Sequence, residues 1–377
     1  MKKIIFIFLA YLMIMTPFFS CSHTGEGNAA SNSSGKMEYA ENLFMEEHEG
    51  YTLVTVRNPW DTLKNLARYV IVPRDTKLPD SLPAGTLIRT PVEKALIYSS
   101  VHSGLISSLG AVEAIGGVCN ASYVTDSLLK ARIEAGETAD CGADMTPDIE
   151  RIIKLHPQIV MRSPFESGTH YAKIEQLGIP TVECADYMEN SALAQAEWMK
   201  FYGLLFGRRD EAYRRFDSIA SRYQELKGKA ASAPQRPKIL LDNIYGQSWS
   251  VPGGKSTMGR LIEDAGGTNP FARYDRSGGV PLSPEKVLVE AGDADIWLLR
   301  YFQQNDKTLP ELSRDASVNS QFKAFKTGEV YGCNTSSIPF FDETPFRPDL
   351  LLEDMVMILH PGLLPGATPR YFKKMEK

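Results

Sequence analysis

Two versions of one helix-to-strand stretch decide the fold of this chain: TPDIERIIKLHPQIV, from Thr146 to Val160, and SPEKVLVEAGDADIWL, from Ser283 to Leu298. Each predicts a helix with a proline in its first turn, where a missing backbone N–H costs little, followed by an apolar strand. Each also has an acid in that turn, Glu150 and Glu285. The helix dipole explains each acid singly but not their matched placement. The repeat therefore predicts two related α/β units.

Helices and strands alternate around both versions of the repeat. Residues 95–186 alternate in this way, and the alternation resumes after Lys238. Between them, residues 191–228 have no strand pattern, and the helix predicted from Asp210 to Lys227 would be ~27 Å long. The predicted fold class is α/β, with two lobes joined by a long connecting helix. Each lobe is predicted to be a mainly parallel sheet flanked by helices.

The composition changes along the chain predict its organisation. The predicted units are a signal peptide (1–20), a flexible tether that begins with a lipid anchor (21–37), a strand-rich extension packed on the first lobe (38–94), the N-terminal lobe (95–190), a helical connector (191–230) and the C-terminal lobe (231–377). No role is assigned to the extension.

The first 21 residues have the pattern of an export signal. Lys2 and Lys3 precede an apolar run from Ile4 to Met15, which is too short to cross a bilayer comfortably. Cys21 follows a small residue where cleavage should occur, so it resembles the lipidated cysteine of a bacterial lipobox. The alternative is a simple cleaved signal with an incidental cysteine. We expect an exported protein held at a membrane by lipid on Cys21 and facing the periplasm, and the leaflet that holds the anchor stays open.

Charge and motifs argue against several function classes. The net charge is −5 with no basic run, so nucleic acid is not expected as a partner. Gly253–Ser256 ends like a P-loop, but Trp249 stands where the leading glycine belongs. Ser127 and Lys130 have the spacing of a β-lactamase motif without its companions. We therefore expect a protein that is not an enzyme. Separately, we expect it to act as a monomer.

The cysteines and histidines do not predict a metal site. Cys119 and Cys141 flank one loop-rich segment and form a candidate disulfide, with two free buried thiols as the alternative. The cysteines lack CxxC spacing, and the six histidines form no HxxxH or HxH pair. A receptor for a bare zinc or manganese ion is therefore disfavoured.

Several segments, in order, resemble one family. Besides the repeat, they are SSVHSGLISSL (99–109), LGIPT (177–181) and WSVPGGKST (249–257). From about Ala95 to Lys377 the chain is similar to the substrate-binding lipoproteins of ABC importers for ferric siderophores, vitamin B12 and haem, in versions typical of Bacteroidetes. The resemblance implies two lobes with little hinge motion and a ligand in the cleft between them.

The resemblance also implies partners. These are a membrane permease, its ATPase, and a metal-chelate or corrinoid ligand, with no resident cofactor because the metal enters only within the chelate. Glu150 and Glu285 match the acids that dock onto arginines of the permease. Two separated carboxylates favour orientation and association rate more than raw affinity.

Candidate ligand contacts follow from the rule that open α/β sheets bind ligands beyond the carboxyl ends of their strands. They are Ser100, His102, Tyr123, Phe165, Tyr187, Tyr245, Trp249, Tyr274, Arg276, Arg300, Tyr301, Asn334 and Phe341. Aromatic rings can cover a large ligand, and arginine can pair with its anionic oxygens. Trp249, Arg300 and Tyr301 are the strongest candidates. The alternatives are that loop aromatics cover the lobe cores, and that His102 is a hydrogen-bonded histidine instead of a ligand to iron or cobalt.

We therefore expect a receptor that captures a ferric siderophore and delivers it to a permease. Cobalamin and haem are alternatives within the same class. A surface lipoprotein for adhesion or sensing, built on the same fold, is an alternative from another class.

Overall fold

The computed structural model describes residues 35–61, 63–165 and 172–377. The predicted signal peptide, most of the predicted tether and Cys21 lie outside these residues. Residues 35–377 form one compact unit. In the described part of the chain, no helix has both the length and the apolar character needed to cross a membrane.

The described part of the chain first forms a four-stranded sheet in the order β1-β2-β3-β4, where β1–β3 are antiparallel and β4 runs parallel to β3. Its strands are β1 (Leu43–His48), β2 (Tyr51–Arg57), β3 (Asn65–Pro73) and β4 (Thr86–Thr90). Apolar side chains alternate between its faces. Val54 and Val56 belong to the main core of the protein, whereas Leu53, Val70 and Val72 form a small separate cluster.

The N-terminal lobe is a parallel five-stranded sheet flanked by helices, in the order β11-β10-β5-β6-β7. Its elements are β5 (Ala95–Ile97), α1 (Ser100–Ser108), β6 (Ile115–Val118), α2 (Ser127–Glu134), β7 (Ala139–Asp140), β8 (Gly142–Ala143), β9 (Thr146–Pro147), α3 (Ile149–Leu155), β10 (Ile159–Arg162), α4 (Ala172–Glu175) and β11 (Thr181–Glu183). The strands β8 and β9 form a small hairpin beside this sheet. The central strands β5 and β10 are buried on both faces, as parallel sheets covered by helices require.

Three helices connect the lobes: α5 (Ala192–Glu197), α6 (Met199–Leu205) and α7 (Arg209–Ala231). Gly207, at φ 65°, makes the turn between α6 and α7. The 23 residues of α7 correspond to ~34 Å of helix. Phe216, Ile219 and Tyr223 lie on its buried face at helical spacing.

The C-terminal lobe has a four-stranded sheet in the order β12-β15-β16-β17, in which only β17 is antiparallel. Its elements are β12 (Ile239–Leu241), β13 (Trp249–Pro252), α8 (Thr257–Asp264), β14 (Gly279–Leu282), α9 (Pro284–Ala291), β15 (Ile296–Tyr301), α10 (Leu309–Asp315), α11 (Lys323–Thr327), β16 (Val330–Asn334), α12 (Phe340–Glu343), α13 (Pro348–Leu359) and β17 (Lys373–Lys374). The strands β13 and β14 pair separately. The predicted fold class is confirmed: two α/β lobes with mainly parallel sheets, joined by a long helix.

Two buried carboxylates hold the start of the described chain against the connector. The fully buried Glu197 accepts hydrogen bonds from the backbone N–H groups of residues 38–40 at 2.8–3.1 Å and pairs with Lys200 at 2.9 Å. Glu189 accepts from the N–H groups of residues 41 and 42, both at 3.0 Å. The Tyr69 hydroxyl also bonds to the N–H of Glu183 on β11. The extension thus contacts both the connector and the N-terminal lobe.

The two versions of the repeat differ at their prolines. Pro284 lies in the first turn of α9, as predicted, and Ser283 caps that helix. Pro147 instead belongs to the hairpin strand β9, and α3 begins after the capping residue Asp148. The prediction for Pro147 was therefore wrong, because hairpin pairing continues to this residue. Glu150 and Glu285 nevertheless both lie in the first turn of their helices.

Candidate ligand-binding cleft

The N-terminal lobe has a hollow of about 240 Å³ beyond the carboxyl ends of β5, β6 and β10. It is lined by Tyr98, Ser99, Ser100, Asn120, Tyr123, Asp144, Ser163 and Phe165. Asn120 has a left-handed backbone, at φ 53°, and its side-chain oxygen accepts from the N–H of Asp144. This lining, which we call the N wall, presents hydroxyl, amide and aromatic groups together with the carboxylate of Asp144.

The C-terminal lobe has a hollow of about 300 Å³ beyond the carboxyl ends of β12 and β13. It is lined by Leu241, Asp242, Ser250, Val251, Pro252, Ser256, Thr257, Met258, Ser277, Gly278, Gly279 and Arg300. We call this lining the C wall. Both hollows therefore occupy the position where open α/β sheets bind ligands.

An ion pair dominates the C wall. The Arg300 guanidinium contacts both carboxylate oxygens of Asp242, with Nε 2.8 Å from Oδ1. Its carbon also lies 5.3 Å from the ring centres of both Phe340 and Phe341. Burial disfavours the charge of Arg300, but the pairing with Asp242 raises its pKa overall. The Asp242 carboxylate therefore holds the guanidinium in one orientation and also balances its charge.

The short helix α12 joins the two walls. The Asp342 carboxylate accepts hydrogen bonds from Ser100 Oγ at 2.6 Å and from Thr125 Oγ1 at 2.5 Å. Both donors belong to the N-terminal lobe. Asp342 and Thr125 also line a third hollow of about 280 Å³ beside α1. Asp342 is thus an inter-lobe contact at the edge of the cleft.

Several predicted contact residues lie at the walls. Ser100, Tyr123 and Phe165 line the N wall, and Arg300 lines the C wall. Tyr123 and Phe165 are 67% and 44% exposed, so their rings are available to a ligand. Contact between these residues and a ligand stays a prediction.

Other predicted residues are exposed around the walls. Phe341 is exposed and lies beside Arg300. Tyr187 is exposed, and its hydroxyl donates to the backbone oxygen of Pro164. Arg276 is exposed and adjoins Ser277 of the C wall. Tyr245, in the loop after β12, is 92% exposed.

Three predicted contacts are corrected because their side chains serve the C-terminal lobe itself. Trp249 has no exposed surface and donates from Nε1 to the backbone oxygen of Leu241. Tyr274 packs against the lobe core, and its hydroxyl bonds to Glu290 on α9. Asn334 is buried and holds the loop at Asn305 through its side chain. The alternative that loop aromatics cover a lobe core thus describes Trp249 and Tyr274.

Tyr301 and His102 are also corrected. Successive strand residues face opposite sides, so Tyr301 points away from the face of Arg300, and its hydroxyl accepts from the N–H of Lys307. His102 is 3% exposed, with Nε2 2.8 Å from Asp186 Oδ1. Tyr202 donates to the same oxygen at 2.7 Å. The hydrogen-bonded alternative for His102 fits this geometry.

The two cysteines of the candidate disulfide are free buried thiols in the structure. Cys119 and Cys141 directly follow the paired residues Val118 and Asp140 of β6 and β7, so they stand opposite each other. Burial raises the pKa of Cys119 to about 12 and that of Cys141 to about 11. Thiolate, the form that forms disulfides, is therefore scarce at neutral pH.

Both predicted docking acids are exposed at the start of their helices. A hydrogen bond from its own backbone N–H and one from Ser283 lower the pKa of Glu285. Within the described parts of the chain, neither Glu150 nor Glu285 takes part in an ion pair, and no three His, Cys, Asp or Glu residues are grouped so that they could hold a metal ion.

The sequence pattern had not indicated Asp242, Asp342 or Thr125 as site residues. Asp242 directly follows a strand, so the rule that selected the other loops also applies to it. The role of Asp342 depends on contacts with residues more than 200 positions away, which no local pattern records.

Comparison with known proteins shows which family and which relatives this chain resembles. The model of the family described as periplasmic binding protein matches residues 99–336. A lipoprotein of Methanocaldococcus jannaschii is 24% identical over 299 residues, covering 76% of this chain and 70% of its own length.

Two solved structures share the architecture. A periplasmic haem-binding protein of Pseudomonas aeruginosa superposes with a TM-score of 0.58 and 16% identity, over 76% of this chain and 99% of that one. An ABC-type Fe³⁺-hydroxamate transport protein of Saccharomonospora viridis superposes with a TM-score of 0.54 and 19% identity. The match covers 72% of this chain and 94% of that one. From the family match and the shared two-lobed fold, we conclude that this chain belongs to the periplasmic binding protein family.

Proposed function

We propose that this protein is the substrate-binding component of an ABC importer and captures a ferric siderophore in the cleft between its lobes. The observation that carries the proposal is the C wall, where a charged Arg300 is held beside two phenylalanine rings. An oriented guanidinium next to apolar rings suits an anionic or oxygen-rich chelate with an organic framework.

The hydroxyl and amide groups of the N wall support the same ligand class. Ser99, Ser163 and Asn120 offer neutral donors that can reach chelate oxygens without a burial cost for charge. The iron remains bound by its chelator, so the receptor needs no metal ligands of its own. The chemistry is binding and release, and we propose no catalysis.

Haem or cobalamin is the second candidate, favoured by the exposed rings around the cleft. Tyr123, Phe165 and Phe341 are each more than 40% exposed, and flat rings can cover a planar macrocycle. Each of the four histidines that the structure describes is engaged away from the two walls. This arrangement supports an iron chelate over a ligand held by a histidine–metal bond.

We further propose that lipid on Cys21 anchors the protein on the periplasmic side of a membrane, that it acts as a monomer, and that it delivers its ligand to a permease powered by an ATPase. Glu150 and Glu285 are its docking acids. Their exposure on two lobes supports this role.

Calorimetric titration of the mature protein tests the ligand. The probes are ferrioxamine, a ferric catecholate, haemin and cyanocobalamin, each with its metal-free form as control. We expect saturable binding of a ferric siderophore and weaker binding of haemin and cyanocobalamin. If haemin or cyanocobalamin alone binds tightly, that compound and not a ferric siderophore is the ligand. Binding of none of the four would contradict chelate capture and favour a surface lipoprotein that does not transport.

A further inference from the structure

Each docking helix has an exposed aliphatic side chain one turn after its acid. Ile153 follows Glu150 by three residues on α3 and is 49% exposed. Val289 follows Glu285 by four residues on α9 and is 86% exposed. Residues three or four positions apart lie on the same helix face. Both lobes therefore present the same pair, a carboxylate beside an apolar side chain.

The basic residue that follows each acid is engaged elsewhere. Arg151 bonds to the capping carboxylate of Asp148 at 3.0 Å and to the backbone oxygen of Asp140 at 2.7 Å. Lys286 lies over the ring of Tyr274, 5.5 Å from its centre. Both carboxylates are thus left without an ionic partner within the described residues, so their charge is available to an incoming cation.

We propose that the docking surface consists of two matched pairs, Glu150 with Ile153 and Glu285 with Val289. This inference rests on the proposed transport function and adds the apolar half of each contact. Two equivalent pairs on two lobes suit a partner with two symmetry-related copies of one site. That partner is a dimeric permease whose subunits each present a basic side chain beside an apolar depression.

The two halves of each pair have separate physical roles. Carboxylates act at long range, so they speed and orient association, and salt screens them. The aliphatic side chains act only at contact, where removing their surface from water slows dissociation. This separation makes the aliphatic half testable independently of the charged half.

The test uses association and dissociation rates on a permease–ATPase complex reconstituted in lipid nanodiscs, at low and high salt. The complex is the one encoded by the same genome. Three double variants are compared with the unchanged protein: I153S with V289S, E150Q with E285Q, and L78S with L87S. Leu78 and Leu87 are also exposed, at 43% and 40%, but lie on the N-terminal extension, so they are the matched control.

We expect I153S with V289S to dissociate at least about tenfold faster, with an unchanged association rate and salt dependence. E150Q with E285Q should associate more slowly and lose most of the salt dependence. The Leu78 and Leu87 control should match the unchanged protein. Circular dichroism and ligand titration check that all variants remain folded.

Two results would overturn the inference, and they differ. If the Ile153 and Val289 variant dissociates like the unchanged protein while the glutamate variant is impaired, only the apolar half of the surface is wrong. If the unchanged protein does not bind the permease at all, the proposed transport function fails together with the inference.

Discussion

The two walls of the cleft occupy the same place in their sheets but are built differently. The C wall presents Arg300, which is fixed by Asp242 and by two aromatic rings. The N wall presents hydroxyls, an amide, the Asp144 carboxylate and the exposed rings of Tyr123 and Phe165. One wall therefore has its main polar group fixed in advance, whereas the other exposes side chains that can adapt.

The difference arises from what lies beneath each wall. Trp249 and Trp297 pack against each other and Phe322, with ring centres 5.3–5.7 Å apart. Their indole N–H groups donate to the backbone oxygens of Leu241 and Asp242. This aromatic cluster holds the strand end that carries the ion pair. Because a fixed group loses little entropy on binding, we expect the C wall to orient a ligand and the N wall to adjust to it.

The largest expected effect comes from removing this support. Trp249→Ala should lower the free energy of unfolding by about 3–5 kcal/mol, because it leaves a large cavity in a fully buried cluster. Tyr123→Ala on the N wall should change it by less than about 0.5 kcal/mol. Urea unfolding followed by circular dichroism measures both. Equal losses for the two variants would contradict the contrast between the walls.

Loss of the fixed charge is expected to have the next largest effect. Arg300→Ala should weaken binding of the ferric siderophore by at least about tenfold, because it removes the oriented cation and leaves the Asp242 carboxylate facing the ligand. Arg314→Ala, on an exposed position of α10 away from the walls, is the matched control. Calorimetry measures the affinities. Unchanged affinity for Arg300→Ala would mean that the C wall does not orient the ligand.

The contact between the walls is expected to matter less. Asp342→Ala removes two hydroxyl–carboxylate hydrogen bonds across the cleft. Because Asp342 is only half-buried, the loss in unfolding free energy should be about 1 kcal/mol. Ser108→Ala, a neighbouring hydroxyl on α1 without an inter-lobe bond among the described residues, serves as control in the same urea measurements. A loss no greater than that of the control would show that Asp342 does not couple the lobes.

The effect that is smallest at neutral pH concerns the buried thiols. Burial raises the pKa of Cys119 to about 12 and that of Cys141 to about 11 in the N-terminal lobe, and raises that of Cys333 to about 12 in the C-terminal lobe. The folded state holds these protons more tightly than the unfolded state. The free energy of unfolding should therefore fall as the pH rises from 9.0, the ordinary pKa of a cysteine thiol, through about 11.

Thiol labelling measures this directly. In the folded protein at pH 8 we expect slow labelling of all three cysteines, which accelerates as the pH rises. After unfolding without a reductant, labelling should reach every thiol of both lobes. If mass spectrometry shows that Cys119 and Cys141 stay unlabelled under these conditions, the two cysteines form a disulfide.

Much of the fold was predictable because its signals are local. The closing helix, Pro348–Leu359, has local signals of this kind, since a proline begins it and apolar residues recur on one face. The strands β5, β10 and β15 are apolar runs of the kind that a buried parallel sheet requires. The short helix α12 and the hairpin strand β9 were missed, because their few residues form regular structure through neighbours distant in the chain.

The candidate site was predictable only in part, for a related reason. Strand ends located the segments that form both walls, which include Ser100, Tyr123, Phe165 and Arg300. Their contact with a ligand stays a prediction. The position of a strand end does not indicate which way each side chain points. Trp249 and Asn334 were therefore assigned to the cleft, although both are buried.

By itself, the sequence determined the α/β class, the two lobes, the connecting helix and the matched acids Glu150 and Glu285, because helical and strand periodicities and first-turn acids are local properties. Only the tertiary structure decided that Arg300 pairs with Asp242, that Asp342 bridges the lobes, and that Ile153 and Val289 stay exposed beside the acids. Those features depend on which surfaces meet when the chain packs, and residues that meet in this way are separated by as many as 242 positions.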